Sequence, residues 1–156
     1  PPKRVAEAYH LLNDYDITNL EHGLFIRGYS TQERSGGIDE VSITAGGTKV
    51  VELDRGKITS YNLFARDFGI EEIDITQLDP GIDKAETSRR ILAGEIVGGK
   101  RDAALANAAL LFYLANATPL QKGTALAREI LESGIPYQIL IQYAIDTTND
   151  RTKKIN

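Results

Sequence analysis

The 156-residue chain sets 18 Lys+Arg against 22 Asp+Glu, for a formal net charge of −4 and a pI near 5.2, and it contains no Cys, Met or Trp and only two His. With 42% apolar and 26% charged residues it has an ordinary globular composition, suited to a single domain with a core that needs no disulfides. These numbers exclude a disulfide framework, a thiolate metal site and a cysteine nucleophile, and they argue against phosphate tracking by bulk positive charge.

No run of about 18 apolar residues occurs, so no membrane span is expected. No signal-peptide pattern follows Pro1-Pro2-Lys3-Arg4, and a cytoplasmic location is the expectation.

Val5, Ala8 and Leu12, with Leu11 alongside, recur at helical spacing and predict a first helix, broken at Asn13-Asp14-Tyr15-Asp16. Leu24-Phe25-Ile26 suits a buried strand that ends at Arg27-Gly28, and the polar stretch from Tyr29 to Gly37 reads as a loop. Val41, Ile43 and Ala45 then alternate with Ser42 and Thr44, which predicts a strand turning at Gly46-Gly47 with positive φ at both glycines. Thr48 to Leu53 is the return strand, Asp54-Arg55-Gly56-Lys57 turns again, and Ile58 to Leu63 is a third strand.

The second half reads as helical. A helix from about Asp83 to Glu95 is marked by Ile82, Ala85, Leu92 and Ile96. A second, Arg101 to Ala117, is apolar on nearly every side and is expected to be buried, with Asp102 placed to complement its dipole or cap it. Leu120, Gly123, Ala127, Ile130 and Leu131 mark a third helix closed by Gly134. Pro136 opens a fourth carrying Ile139, Leu140, Tyr143 and Ala144, and the tail from Asp150 to Asn156 is expected to fray. The predicted class is therefore α/β: a central sheet including a small antiparallel meander at about 41–63, flanked by helices, with a mostly helical C-terminal half.

Few residues offer chemistry. His10 and His22 have no HExxH or Ser/His context, and both read as surface or structural. No Walker or dinucleotide glycine loop occurs, and the double glycines at 36–37, 46–47 and 98–99 read as turn punctuation. Arg89-Arg90 with Lys100-Arg101 is the strongest basic patch, and solvated helix faces are its plainer reading. Asp39-Glu40 stands apart. Adjacent carboxylates point to opposite faces of a regular strand but face one cavity in irregular backbone, and hard oxygen ligands there suit Mg²⁺ with phosphates and water.

Several segments stand in a telling order: Gly37-Ile38-Asp39-Glu40-Val41-Ser42, Thr48 to Leu53, Gly56-Lys57-Ile58 with Tyr61, and Asp67-Phe68-Gly69-Ile70 after Ala65. Arg101-Asp102 with Asn107-Ala108-Ala109, and Gly123, Ala127 and Ser133-Gly134, follow them. From Leu24 to Gly134 this ordered set resembles the C-terminal α/β part of the anthranilate phosphoribosyltransferase family, in which proline is usual at the position of Ala65. The resemblance implies transfer of phosphoribose from phosphoribosyl pyrophosphate to anthranilate in tryptophan synthesis. It implies that Asp39 and Glu40 bind a Mg²⁺ that holds the pyrophosphate.

The family's Gly-Thr-Gly-Gly-Asp and Lys-His-Gly-Asn segments and its anthranilate-recognising arginine belong upstream, towards an N-terminal helical domain, and none is found here. The chain is thus expected to be the C-terminal domain alone, inactive by itself, with no catalytic or substrate-binding residue to assign. Its missing partner is the helical domain, through which the complete enzyme is expected to form a homodimer. Where the family has a short Val-His-Gly turn, this chain has Arg27-Gly28 and a longer loop, with Arg27 and Arg34 as candidates to reach a phosphate. Two other readings stay open: a nucleic-acid-binding relative, which the acidic pI counts against, and a related nucleoside phosphorylase.

Overall fold

A computed structural model describes residues 2–14, 19–31, 37–38, 40–78 and 83–153. The first helix, α1 (Pro2–Asp14), stops where the Asn/Asp cluster begins. The Asn13 side chain closes across the break, donating from Nδ2 to the Leu20 carbonyl at 2.7 Å and accepting from the Leu20 amide at 3.2 Å. This is the local side-chain bonding that makes Asn a helix breaker.

Four strands follow: β1 (His22–Tyr29), β2 (Gly37–Ile38), β3 (Thr48–Asp54) and β4 (Lys57–Leu63). They form one antiparallel sheet in the order β2-β1-β3-β4. The β3–β4 hairpin turns at Arg55-Gly56, where its Asp-Arg-Gly-Lys sequence predicts a turn, and both residues are at positive φ.

The register sorts side chains by face. Leu24 opposes Glu52, Ile26 opposes Val50, and Val50 opposes Tyr61, so these share one side. Phe25 and Val51 share the other, where α1 packs with Ala6 fully buried and the Tyr9 ring 5.5 Å from that of Phe25.

The predicted strand at 41–45 does not form. Val41 and Ile43 are buried as expected, but so are Ser42 and Thr44. The hydroxyls explain this. Ser42 Oγ donates to the Tyr29 carbonyl at 2.7 Å, and Thr44 Oγ1 approaches the Tyr29 and Ser30 carbonyls at 2.9 and 3.0 Å. The Ser42 amide donates to Thr48 Oγ1 at 2.8 Å. Side-chain bonds of this kind compete with a strand ladder, and β1, from far earlier in the chain, takes the place beside β3. The turn shifts with it: the Gly47 amide donates to the Thr44 carbonyl, so Ala45 and Gly46 are its central residues, and of the two glycines only Gly47 has positive φ.

After β4 a short 3₁₀ turn, Ala65–Phe68, is tied by the Asp67 carboxylate accepting from the Phe64 amide at 2.8 Å, which drives Phe68 into the core. Then come α2 (Lys84–Leu92), α3 (Gly99–Asn116), α4 (Leu120–Glu132) and α5 (Ile135–Lys153). α2 is shorter than predicted, ending where Ala93-Gly94 turns, and Ile82 lies outside the described residues.

α3 buries one face, Leu105, Ala106, Ala109 and Leu110, with Ala106, Ala109 and Leu110 against Val41, Ile43, Val50 and Phe68. It is not buried all round: Leu111 is 66% exposed. α4 crosses it at Gly123, where a Cβ would lie 3.1–3.2 Å from Ala109. The left-handed Gly134 ends α4 as a cap should. Most apolar residues of α5 are outward, with Ile139 63% and Tyr143 67% exposed, while Tyr137 and Leu140 are half-buried. Its helix continues through Lys153, past the predicted fraying point, and 154–156 lie outside the described residues.

Candidate functional site

Glu40 lies between β2 and the irregular segment 41–44, on the sheet edge beside β1. Its side chain is exposed, while its backbone is held closely. At Gly28 of β1 an added Cβ would collide with the Glu40 carbonyl oxygen and come 2.7 Å from Cγ1 of Ile38. On the other side the Val41 amide donates to Asn107 Oδ1 of α3 at 3.1 Å. Asp39 and Arg34 lie outside the described residues. Arg27 is on the same edge, with its guanidinium against Gly37 and 5.7 Å over the Tyr29 ring.

A second polar centre sits on the α3 side of the sheet. Glu52 Oε1 lies 2.7 Å from His22 Nε2 and accepts from the Tyr113 hydroxyl at 3.0 Å, while Oε2 accepts from the Tyr61 hydroxyl at 2.9 Å. A carboxylate that accepts here requires a proton on His22 Nε2. Burial, and then the Glu52 carboxylate, raise both tyrosine pKa values above the ordinary 10.0. Glu52 and the two tyrosines, with Leu120, line a cavity of about 180 Å³. One carboxylate thus joins β1, β3, β4 and α3. This set was not assigned a role from sequence. The available signal was a Glu at an inward position, two residues after buried Val50, because a charge there demands partners.

His22 meets Glu52 at 2.7 Å, a contact that suits a structural histidine. His10 is partly exposed, 3.9 Å from Asp14 one helical turn on. Three arginines of the basic patch are paired: Arg89 bridges Glu86 and Glu95, Arg90 reaches Glu95, and Arg101 meets Asp102. Asp102 is in the first turn of α3 as predicted; it faces Arg101 and, at 3.6 Å, Arg128 of α4. A wider cleft of about 390 Å³, between the end of α1 and the β3–β4 turn, is lined by His10, Asn13 and Arg55 among others. Of the family-like positions, only Gly56 lines it among the described residues. Among the described residues no three His, Cys, Asp or Glu side chains come together as a metal cage, and no single helix is long and apolar enough to cross a membrane.

Comparison with known proteins places the fold among relatives. Anthranilate phosphoribosyltransferase from Shewanella amazonensis is 38% identical over 118 residues, 74% of this chain and 34% of the relative. The crystal structure of the Thermus thermophilus enzyme of that name matches with a TM-score of 0.66 at 33% identity, over 88% of this chain and 37% of that one. A variant of the Saccharomyces cerevisiae enzyme, solved with Mg bound, shares the fold at TM-score 0.66 and 24% identity, over 88% of this chain and 37% of its own. The chain therefore spans about a third of the length of the relatives it matches. Residues 21–137 match the family described as glycosyl transferase family, a/b domain, and the chain belongs to that family.

Proposed function

We propose that this chain is the α/β part of a cytoplasmic enzyme that transfers phosphoribose from phosphoribosyl pyrophosphate to anthranilate, releasing pyrophosphate. The supporting observation is the extent of the match: residues 21–137 fit the family, and the relatives compared are anthranilate phosphoribosyltransferases. In this reading 1–156 is one domain, completed by a helical domain that supplies the acceptor pocket and the homodimer contact. The ion pairs on Arg89, Arg90 and Arg101 weigh against the nucleic-acid reading, since paired guanidiniums are poor phosphate ligands.

Asp39 and Glu40 would hold Mg²⁺. The donor set fits: Glu40 offers an exposed hard carboxylate at a sheet edge, and Mg²⁺ in phosphate chemistry takes one or two carboxylates and keeps the rest of its shell for phosphates and water. Bound there, the ion would neutralise charge building on the departing pyrophosphate. The chain's own contribution would be to hold the Glu40 backbone closely at the sheet edge, so that little reorganisation remains when substrate arrives. Arg27 presents a further positive charge on that edge.

The test is transferase assay of the complete protein, following consumption of anthranilate fluorescence. Asp39→Asn with Glu40→Gln is expected to weaken Mg²⁺-dependent use of phosphoribosyl pyrophosphate, and an unchanged Mg²⁺ response would overturn the metal assignment. The 156-residue chain alone is expected to show no turnover, and activity in it would overturn the two-domain reading.

A further inference from the structure

The Glu40–Val41 peptide is gripped on both of its polar sides. Its carbonyl packs onto Gly28, where no side chain would fit, and its N–H donates to Asn107 Oδ1 at 3.1 Å, across 66 positions of sequence. The Asn107 carboxamide is itself oriented, because Nδ2 donates to the Ala103 carbonyl one turn back at 2.9 Å. That second bond leaves Oδ1 as the atom facing Val41. The helix beneath is fixed too: Ala106 and Ala109, on either side of Asn107, are fully buried. Beyond Val41 the chain is tied by the Ser42 and Thr44 bonds and by the Ile73 amide donating to the Ile43 carbonyl at 3.1 Å. Upstream of it, Glu40 projects into solvent.

We infer that Asn107 is a positioning residue for Glu40: it fixes the Glu40–Val41 peptide plane and so sets the direction from which the Glu40 carboxylate meets a divalent cation. This rests on the proposed metal role of Asp39 and Glu40. The physical reason is reach. Glu has several rotatable bonds, so a carboxylate on a loose peptide samples many positions. A peptide held at both ends of its dipole confines the search to the side chain, which lowers the ordering cost of binding.

The experiment uses Mn²⁺ as a paramagnetic probe, titrated into the isotope-labelled 156-residue chain, with broadening of the amide signals of residues 40–42 giving the affinity. Asn107→Ala is expected to bind Mn²⁺ about tenfold or more weakly, the range for removing a group that orients a metal ligand. It should also speed hydrogen exchange at the Val41 amide. Asn107→Asp loses the bond to the Ala103 carbonyl and adds a charge but still offers the Val41 amide an acceptor, and it is expected to recover the slow exchange at Val41, a rescue that loss of folding would not produce. If Asn107→Ala loses its dispersed spectrum, Asn107→Ser, too short to reach Val41, takes its place. Wild-type affinity in the Ala or Ser variant overturns the inference, and so does an Asp variant whose Val41 amide exchanges as fast as in the Ala variant. If the wild-type chain shows no selective broadening at 40–42, the metal reading itself fails and the positioning role with it. Intact wild-type binding tells the first kind of failure from the second.

Discussion

Glu52→Ala is the substitution whose cost the structure defines best. The carboxylate is only 12% exposed and receives three hydrogen bonds, of 2.7, 2.9 and 3.0 Å, from three different elements. A hydrogen bond to a charged group contributes about 1.5–3 kcal/mol net. Three would sum to roughly 4.5–9 kcal/mol if independent. They are not independent, and His22, at 31% exposure, regains water when released. The expected loss is therefore about 3–5 kcal/mol, below the independent sum but including two tyrosine hydroxyls left without their acceptor. At a urea slope of about 2 kcal/mol/M this moves the midpoint down by about 1.5–2.5 M, readable by circular dichroism. Tyr113→Phe and Tyr61→Phe should each cost about 1–2 kcal/mol, and a double-mutant cycle of either with Glu52→Ala should show coupling well above zero. A loss below about 1 kcal/mol for Glu52→Ala would refute the view that this carboxylate ties α3 to the sheet.

Three further outcomes follow from the same geometry. Both tyrosine pKa values are raised, so their contribution to stability is complete below the unfolded value of 10.0 and is lost as pH rises through the folded values. Alkaline titration of tyrosinate absorbance should show two late tyrosines, with unfolding promoted above about pH 10; ionisation of all seven tyrosines together would contradict this. Gly28→Ala should cost about 1–3 kcal/mol by overpacking against Ile38 and the Glu40 carbonyl, and should shift the amide signals of 40–42; unchanged signals there would refute the close approach. Gly123→Ala gains up to about 1 kcal/mol of helix propensity but meets Ala109 backbone at 3.1–3.2 Å, which has little freedom to retreat; net destabilisation by thermal melt is expected, and net stabilisation would show that α3 and α4 can separate.

Local signals carried far in this chain. The Asp54-Arg55-Gly56-Lys57 turn, the Asn13-Asp14 helix stop and the Gly134 cap each depend on one to four adjacent residues, and each forms where its sequence places it. The segment at 41–45 shows where local reading ends. Its alternation of apolar and hydroxyl residues is a fair strand pattern, but the hydroxyls are satisfied by carbonyls at Tyr29 and Ser30, and no window around Ser42 contains that information. α5 shows the same limit: apolar periodicity states that a face can be buried, and only the neighbours decide whether it is.

By itself the sequence determined the composition class, the helices and the β3–β4 hairpin, and through its ordered motifs a family resemblance, from which the proposed metal role of Asp39 and Glu40 comes. Tertiary structure alone decided that β1 lies beside β3, that Glu52 gathers His22, Tyr61 and Tyr113, and that Asn107 and Gly28 hold the Glu40–Val41 peptide between them. The reason is range. Propensity and capping act over a few residues, whereas these contacts join positions roughly 10 to 70 apart, and they exist only once burial has brought the sheet and α3 together.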